Sequence, residues 1–268
     1  MLVDPWRDVR LPWEITGHTA SDGQLHVLVD PAFLSFPSDL SGLHLPVPVT
    51  RVFDGQYHGD GLQPLSPCVF TLPTEDAAVR GVWSHLLALC EGRPMVSVLH
   101  TPADLGAIVS HLRRQWEGRS ADGTPWLMRW ADTRIVPLLF HCLDALQRQR
   151  VLGGITAWYS ATRDGGWLRT DGEAERPFDF TATPLCFTPA QQRALRQMAE
   201  PDRITGWLLR HPVMRPTTLL PSQVHACAQA VVERLHHRGI ANDALAFRMT
   251  AKAVAHADAA RARQGAGV

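Results

Sequence analysis

Apolar residues in the first half of the chain fall into short unbroken runs, and these alternate with longer stretches of helical spacing. "LHVLVD" (25–30) reads as a strand ending at Asp30-Pro31, because proline cannot donate to a continuing ladder. "PVTRVF" is a short strand candidate ahead of the loop "DGQYHGDG", and "SPCVFTL" (66–72) is another strand, closed by Pro73. "TEDAAVRGVWSHLLALCEG" then predicts a helix capped by Thr74 and stopped at Gly92, with Val79, Trp83, Leu86, Leu87 and Cys90 on one face. The unit repeats: "PMVSVLH" as strand, then "TPADLGAIVSHLRRQWEG" as helix, with Thr101 as cap and Pro102 in its first turn. "PWLMRW" (125–130) predicts a further strand, and a shorter helical stretch runs from Phe140 to Arg150. "GGITAWYSATRDGGWLRTDG" has the form of a β-hairpin turning at Arg163-Asp164-Gly165-Gly166. The expected fold is α/β, with a mixed, partly parallel β-sheet and flanking helices in an N-terminal lobe.

The pattern changes at "TDGEAERPFDFTATP", a polar, proline-flanked linker candidate. Everything beyond it is helical in spacing. "TPAQQRALRQMAE" starts on Thr188-Pro189, "DRITGWLLRH" follows a break at Pro201, "LPSQVHACAQAVVERLHHRGI" ends at Gly239, and "ANDALAFRMTAKAVAHADAARARQ" forms a long last helix. This divides the chain into an α/β domain over 1–182 and a smaller all-α lobe over 183–268.

Composition narrows the function classes. The 268 residues suffice for one large domain or two modest ones, and apolar and charged fractions of 45% and 19% are those of a globular protein. Lys+Arg and Asp+Glu are both 26, so nothing in the overall charge argues for nucleic acid or a polybasic membrane contact. Five scattered cysteines without C-x-x-C fit reduced thiols in a cytoplasmic protein. No signal-peptide h-region opens the chain, and no apolar window is long enough to span a bilayer. The expectation is a soluble protein that stays inside the cell.

Catalytic and cofactor signatures are missing from the sequence. It has no G-x-G-x-x-G, no G-x-x-x-x-G-K-[ST], no G-x-S-x-G and no H-E-x-x-H, so neither a cofactor nor a metal is expected. His85, His100 and His111 come nearest to a catalytic set, on neighbouring elements. A hydrolase using His100 and Asp132 is the enzymatic alternative. "PWLMRWADTRIVPLLF" poses a different question, because Arg129 stands among tryptophans. As a strand, the stretch puts Trp126, Met128 and Trp130 on one face and Leu127, Arg129 and Ala131 on the other. Arg129 then needs a partner, since an unpaired buried charge is costly. Asp132 is placed to accept backbone N–H groups of "TRIV". The pair reads as a structural joint, without a nucleophile.

"WLMRWADTRIVPLLF" also resembles the "f-R-f-x-D-x-R-v-l" signature of the effector adaptor/chaperone family of type VI secretion systems, long catalogued as a domain of unknown function. Other landmarks follow in order. "LHVLVDPA" with Asp30 resembles the opening strand, and "PLSPCVFTL" with Pro67 resembles the "a-P-y-L-v-x-L" strand. His111-Leu112-Arg113 is similar to the "H-L-R" helix. "GGITAWYS" with Trp158 resembles the "G-P-x-x-x-W" strand, with Gly154 where the family often has proline. "FTPAQQRALRQM" resembles the start of the C-terminal helical lobe. The resemblance spans about Leu25 to Leu195 and is silent beyond. It implies a non-enzymatic adaptor that binds a toxic effector in the cytoplasm of a Gram-negative bacterium and loads it onto the VgrG spike. Neither nucleic acid nor membrane insertion is implied. Candidate contact residues are Trp167, beside the hairpin turn, and Trp207, Leu208, His211 and Met214 in "GWLLRHPVMRP". The opposing reading makes Trp207 and Leu208 core residues of the small lobe.

Overall fold

A computed structural model describes residues 2–6, 23–34, 47–56, 65–178 and 183–265. Its centre is a six-stranded sheet in the order β2-β3-β1-β4-β7-β8. The strands are β1 (Gln24–Val29), β2 (Thr50–Arg51), β3 (Cys68–Thr71), β4 (Val96–Thr101), β7 (Ala157–Ala161) and β8 (Trp167–Asp171). Every neighbouring pair in this sheet is antiparallel. The strand–helix–strand alternation does not produce adjacent parallel strands, because β1 lies between β3 and β4. Those two run in the same direction, joined by helix α1 (Asp76–Cys90), and each pairs with β1 instead. A parallel pair occurs in a second, three-stranded sheet of β5 (Glu117–Arg119), β6 (Pro125–Leu127) and β9 (Leu185–Cys186), where β5 and β9 are parallel. The expected mixed α/β class holds, but the parallel element sits outside the central sheet.

Strand side chains alternate between two cores. Val27, Val29, Phe70, Val96, Val98 and Tyr159 face one side, which α1 covers with Val82, Trp83, Leu86 and Leu87. Leu28, Val69, Leu99 and Trp158 face the other. Helix α2 (Leu105–Gln115) covers that side with Ile108, Val109 and Leu112, and the short helices α3 (Val136–Cys142) and α4 (Ala145–Leu152) complete it. A sheet covered on both faces needs apolar residues at consecutive positions, which is why its strands read as unbroken runs. Helices α5 (Pro189–Arg210), α6 (Pro221–His237) and α7 (Asp243–Gly265) hold a third core of their own around Ile204, Leu208, Val224, Val231 and Val254.

Several local expectations change. Thr74 does not cap α1, whose N-cap is Glu75. Thr101 remains in β4, where its hydroxyl donates to the Gly154 carbonyl, and Asp104 caps α2 through the Ala107 N–H. The strand predicted over 125–130 ends at Leu127, and a turn closed by Asp132 N–H to Arg129 C=O follows. Pro201 does not break its helix: α5 runs through it, with Pro201 buried on the inner side. Proline removes one hydrogen bond of the helical ladder, and packing over the remaining turns offsets the loss. Gly154 has a φ of +72°, which proline cannot adopt, and a Cβ there would lie 2.5 Å from the Phe178 ring. That explains the departure from the resembled pattern. Residues 57–61 of the predicted loop and 179–182 of the predicted linker lie outside the described residues.

Candidate functional site

The C-terminal end of β1, the residues leading into β4 and the β7–β8 turn converge at one end of the central sheet. Asp30 N–H donates to Met95 C=O, and Thr133 N–H donates to Pro94 C=O. Asp30 is buried and caps a short 3-10 turn (Pro31–Phe33) through Ala32 N–H. Its second carboxylate oxygen accepts from Arg129 at 2.6 Å. Asp132 holds Arg134 by two contacts, Nε to Oδ1 at 3.0 Å and Nη2 to Oδ2 at 2.8 Å, while Oδ1 also accepts the Arg134 N–H. The Phe33 ring meets both guanidinium groups, with Arg129 at 5.1 Å and Arg134 at 5.2 Å from its centroid. The joint expected at Arg129 and Asp132 is therefore two adjacent ion pairs bridged by an aromatic ring. Arg129 is more open than a covered strand face requires, with 42% of its side chain exposed.

A third pair extends this cluster into the helices. Arg163, in the hairpin turn, makes a bidentate contact with Asp202 of α5. Burial pushes the Asp202 carboxyl up from its ordinary value, opposed by Arg163 and Arg134. At Asp30 burial also raises the carboxyl, with Arg129 acting against it. Three arginines thus face three aspartates, and the cluster is balanced internally. His225 of α6 lies 3.8 Å from Asp202, but desolvation, reinforced by Arg163, lowers its pKa to about 4. It is neutral at pH 7 and does not form an ion pair there. A cleft of about 700 Å³ opens beside these groups, lined by Arg134, Arg163, Asp202, His225, Gln229 and His236 among others.

The remaining residues singled out from sequence separate into framework and surface. Pro67 is buried and accepts Val52 N–H, and Trp158 is wholly buried against Trp130 and Phe140. His111 is buried, bonded at 2.8 Å to Val151 C=O and stacked on Phe178. His85 is exposed, and His100 shares a sheet face with Val98, opposite the face that α2 and His111 cover. The three histidines are not brought together. Asp132 lies beside Pro94 and His100 six residues along β4, which separates them by about 20 Å of strand. Among the described residues, no three His, Cys, Asp or Glu side chains are grouped to hold a metal ion.

Among the contact candidates, Leu208 is a correction: it is 1% exposed and packs in the third core, because it points inward from α5. Trp167 is half-buried between Trp6 and Trp83. Trp207 and Met214 are exposed, and His211 stacks on Trp207 at 4.5 Å. Sequence reasoning missed Phe33, Arg163 and Asp202, whose partners lie far away in the chain and carry no local pattern. It also missed a signal that was present: residues 183–268 hold eleven Lys/Arg against five Asp/Glu, a net +6 that the remaining residues cancel.

Comparison with known families bears on the segment that builds most of this cluster. Residues 25–150 match the family model described as "Domain of unknown function (DUF4123)". The matched segment contains Asp30, Arg129, Asp132 and Arg134, and it stops before Arg163 and Asp202. Neither curated proteins nor solved structures gave a match. No helix among the described residues is long and apolar enough to cross a membrane.

Proposed function

We propose that this chain is a non-enzymatic adaptor that binds a type VI secretion effector in the cytoplasm and loads it onto the VgrG spike. The observation that carries the reading is the DUF4123 match over residues 25–150, taken with the ordered landmarks that resemble the adaptor/chaperone family. The geometry is compatible with it in a specific way. The charges of the signature pair with one another as Asp30–Arg129 and Asp132–Arg134, which supports an architectural role for them. Function then falls to surfaces, as it does in a binding protein.

The test is affinity capture of the tagged protein from host cells expressing the secretion system, with the eluate identified by mass spectrometry. Co-elution of a toxin together with VgrG is expected. Recovery of a toxin without VgrG would favour a neutralising binder over an adaptor, and recovery of neither would refute the proposal.

A further inference from the structure

We propose that the corner between α5 and α6 docks an acidic, amphipathic segment of a protein partner, an inference that rests on the adaptor reading. Trp207, Val213 and Met214 are 42%, 87% and 43% exposed within eight residues of sequence. Arg210 and Arg215 stand close to them in sequence, both exposed and without an acidic partner among the described residues. Exposed tryptophan, methionine and arginine together are the composition enriched at protein interfaces.

The corner is held in place. Asp258 of α7 accepts the N–H groups of Thr217, Thr218 and Leu219 and both threonine hydroxyls, at 2.6 to 3.2 Å. Met214 and Arg215 N–H both donate to His211 C=O. Trp207 is fixed by His211 on one side and edge-on by Phe247 of α7 at 4.5 Å. Rigid presentation of apolar groups lowers the ordering cost of binding.

Charge selects the occupant. Exposed Arg210 and Arg215 are the charges at the corner, so it attracts an acidic partner and discriminates against a basic one. Nucleic acid fits less well, since Trp207 already stacks on His211.

The test uses fluorescence anisotropy with a labelled amphipathic helix of leucine and glutamate, and a matched peptide with lysine for glutamate. The acidic peptide is expected to bind, weakening as salt rises. Val213→Ser with Met214→Ser, and separately Arg210→Glu with Arg215→Glu, should each weaken it about tenfold or more at unchanged melting temperature. Equal binding of the lysine peptide, unaffected binding by both variants, or displacement by duplex DNA would overturn the proposal. So would a dimer that these variants disperse, which would make a second copy of the chain the occupant. Affinity capture with the same variants separates the two readings. If wild type retrieves toxin and VgrG and the variants do so equally, the docking site is wrong and the adaptor stands. If wild type retrieves neither, the adaptor reading itself falls.

Discussion

Arg129 reaches Asp30 from a half-exposed position, while Asp30 itself is buried, and that asymmetry sets what each substitution costs. Removing the guanidinium strands a carboxylate that can neither reach water nor keep its partner. Arg129→Ala should therefore lower unfolding stability by about 1–2 kcal/mol, discounted for the solvent around the arginine. Urea denaturation checks this, and Asp30→Asn in the same background should recover part of the loss. No loss in Arg129→Ala would mean the pair is ornamental. The need for a partner was legible in sequence, since Arg129 stands among tryptophans. The partner's identity was not, because 99 positions separate it from Asp30. His225 gives a second expectation at this scale. The unfolded chain binds its proton near the ordinary 6.5, whereas desolvation in the folded state delays this to about 4. Stability present above pH 6.5 is lost as pH falls through that interval. His225→Gln should flatten the slope of melting temperature against pH between those values; an unchanged slope would place the acid sensitivity elsewhere, with buried His26 the next candidate.

Elements were legible where one face or one run was apolar, and their ends were read less well. The spacing in α1 and α2 found both helices, but each cap was assigned to a threonine several residues early or one residue early. Position explains the α2 error: Thr101 is the last residue of β4, its hydroxyl donating to Gly154 and accepting the Ala103 N–H, so the chain turns once more before Asp104 caps the helix. The β5–β6 hairpin carried its signal in Asp122-Gly123, between the stretch read as a helix, which ends at Gly118, and the strand predicted from Pro125. Pro201 misled because a buried proline mid-helix is held by tertiary contacts rather than by propensity. The α5–α6 connection depends on one side chain in another helix. Burial works to raise the Asp258 carboxyl, but the amides and hydroxyls of Thr217 and Thr218 outweigh it and hold it well below the usual carboxylate range. Asp258→Ala should accelerate hydrogen exchange at Thr217, Thr218 and Leu219 by about tenfold or more, with the α1 amides unchanged. Equal acceleration everywhere would indicate global destabilisation instead of a local brace.

At the scale of the molecule, the polar contacts that join the α/β part to the three C-terminal helices come from residues remote in sequence. Asp4 receives the N–H of Ser222 at 2.8 Å and its hydroxyl at 2.6 Å, while its own N–H donates to Arg163 C=O. Arg163 in turn grips Asp202, so the hairpin turn, the N-terminal residues and the starts and middles of two helices meet at one residue. Composition hid this arrangement, because a chain neutral overall is acidic before the linker and basic after it. Opposite net charges favour docking of the two parts, but long-range attraction fixes no register; the bidentate Arg163–Asp202 pair does. Breaking it from one side leaves a buried charge, so Arg163→Ala should cost about 2–4 kcal/mol. Deleting both ends removes that penalty. Arg163→Ala with Asp202→Ala should therefore cost clearly less than the two single substitutions together, in a double-mutant cycle read by urea denaturation. Strict additivity would show that the two groups act independently, and that this pair does not set how the helices dock on the sheet.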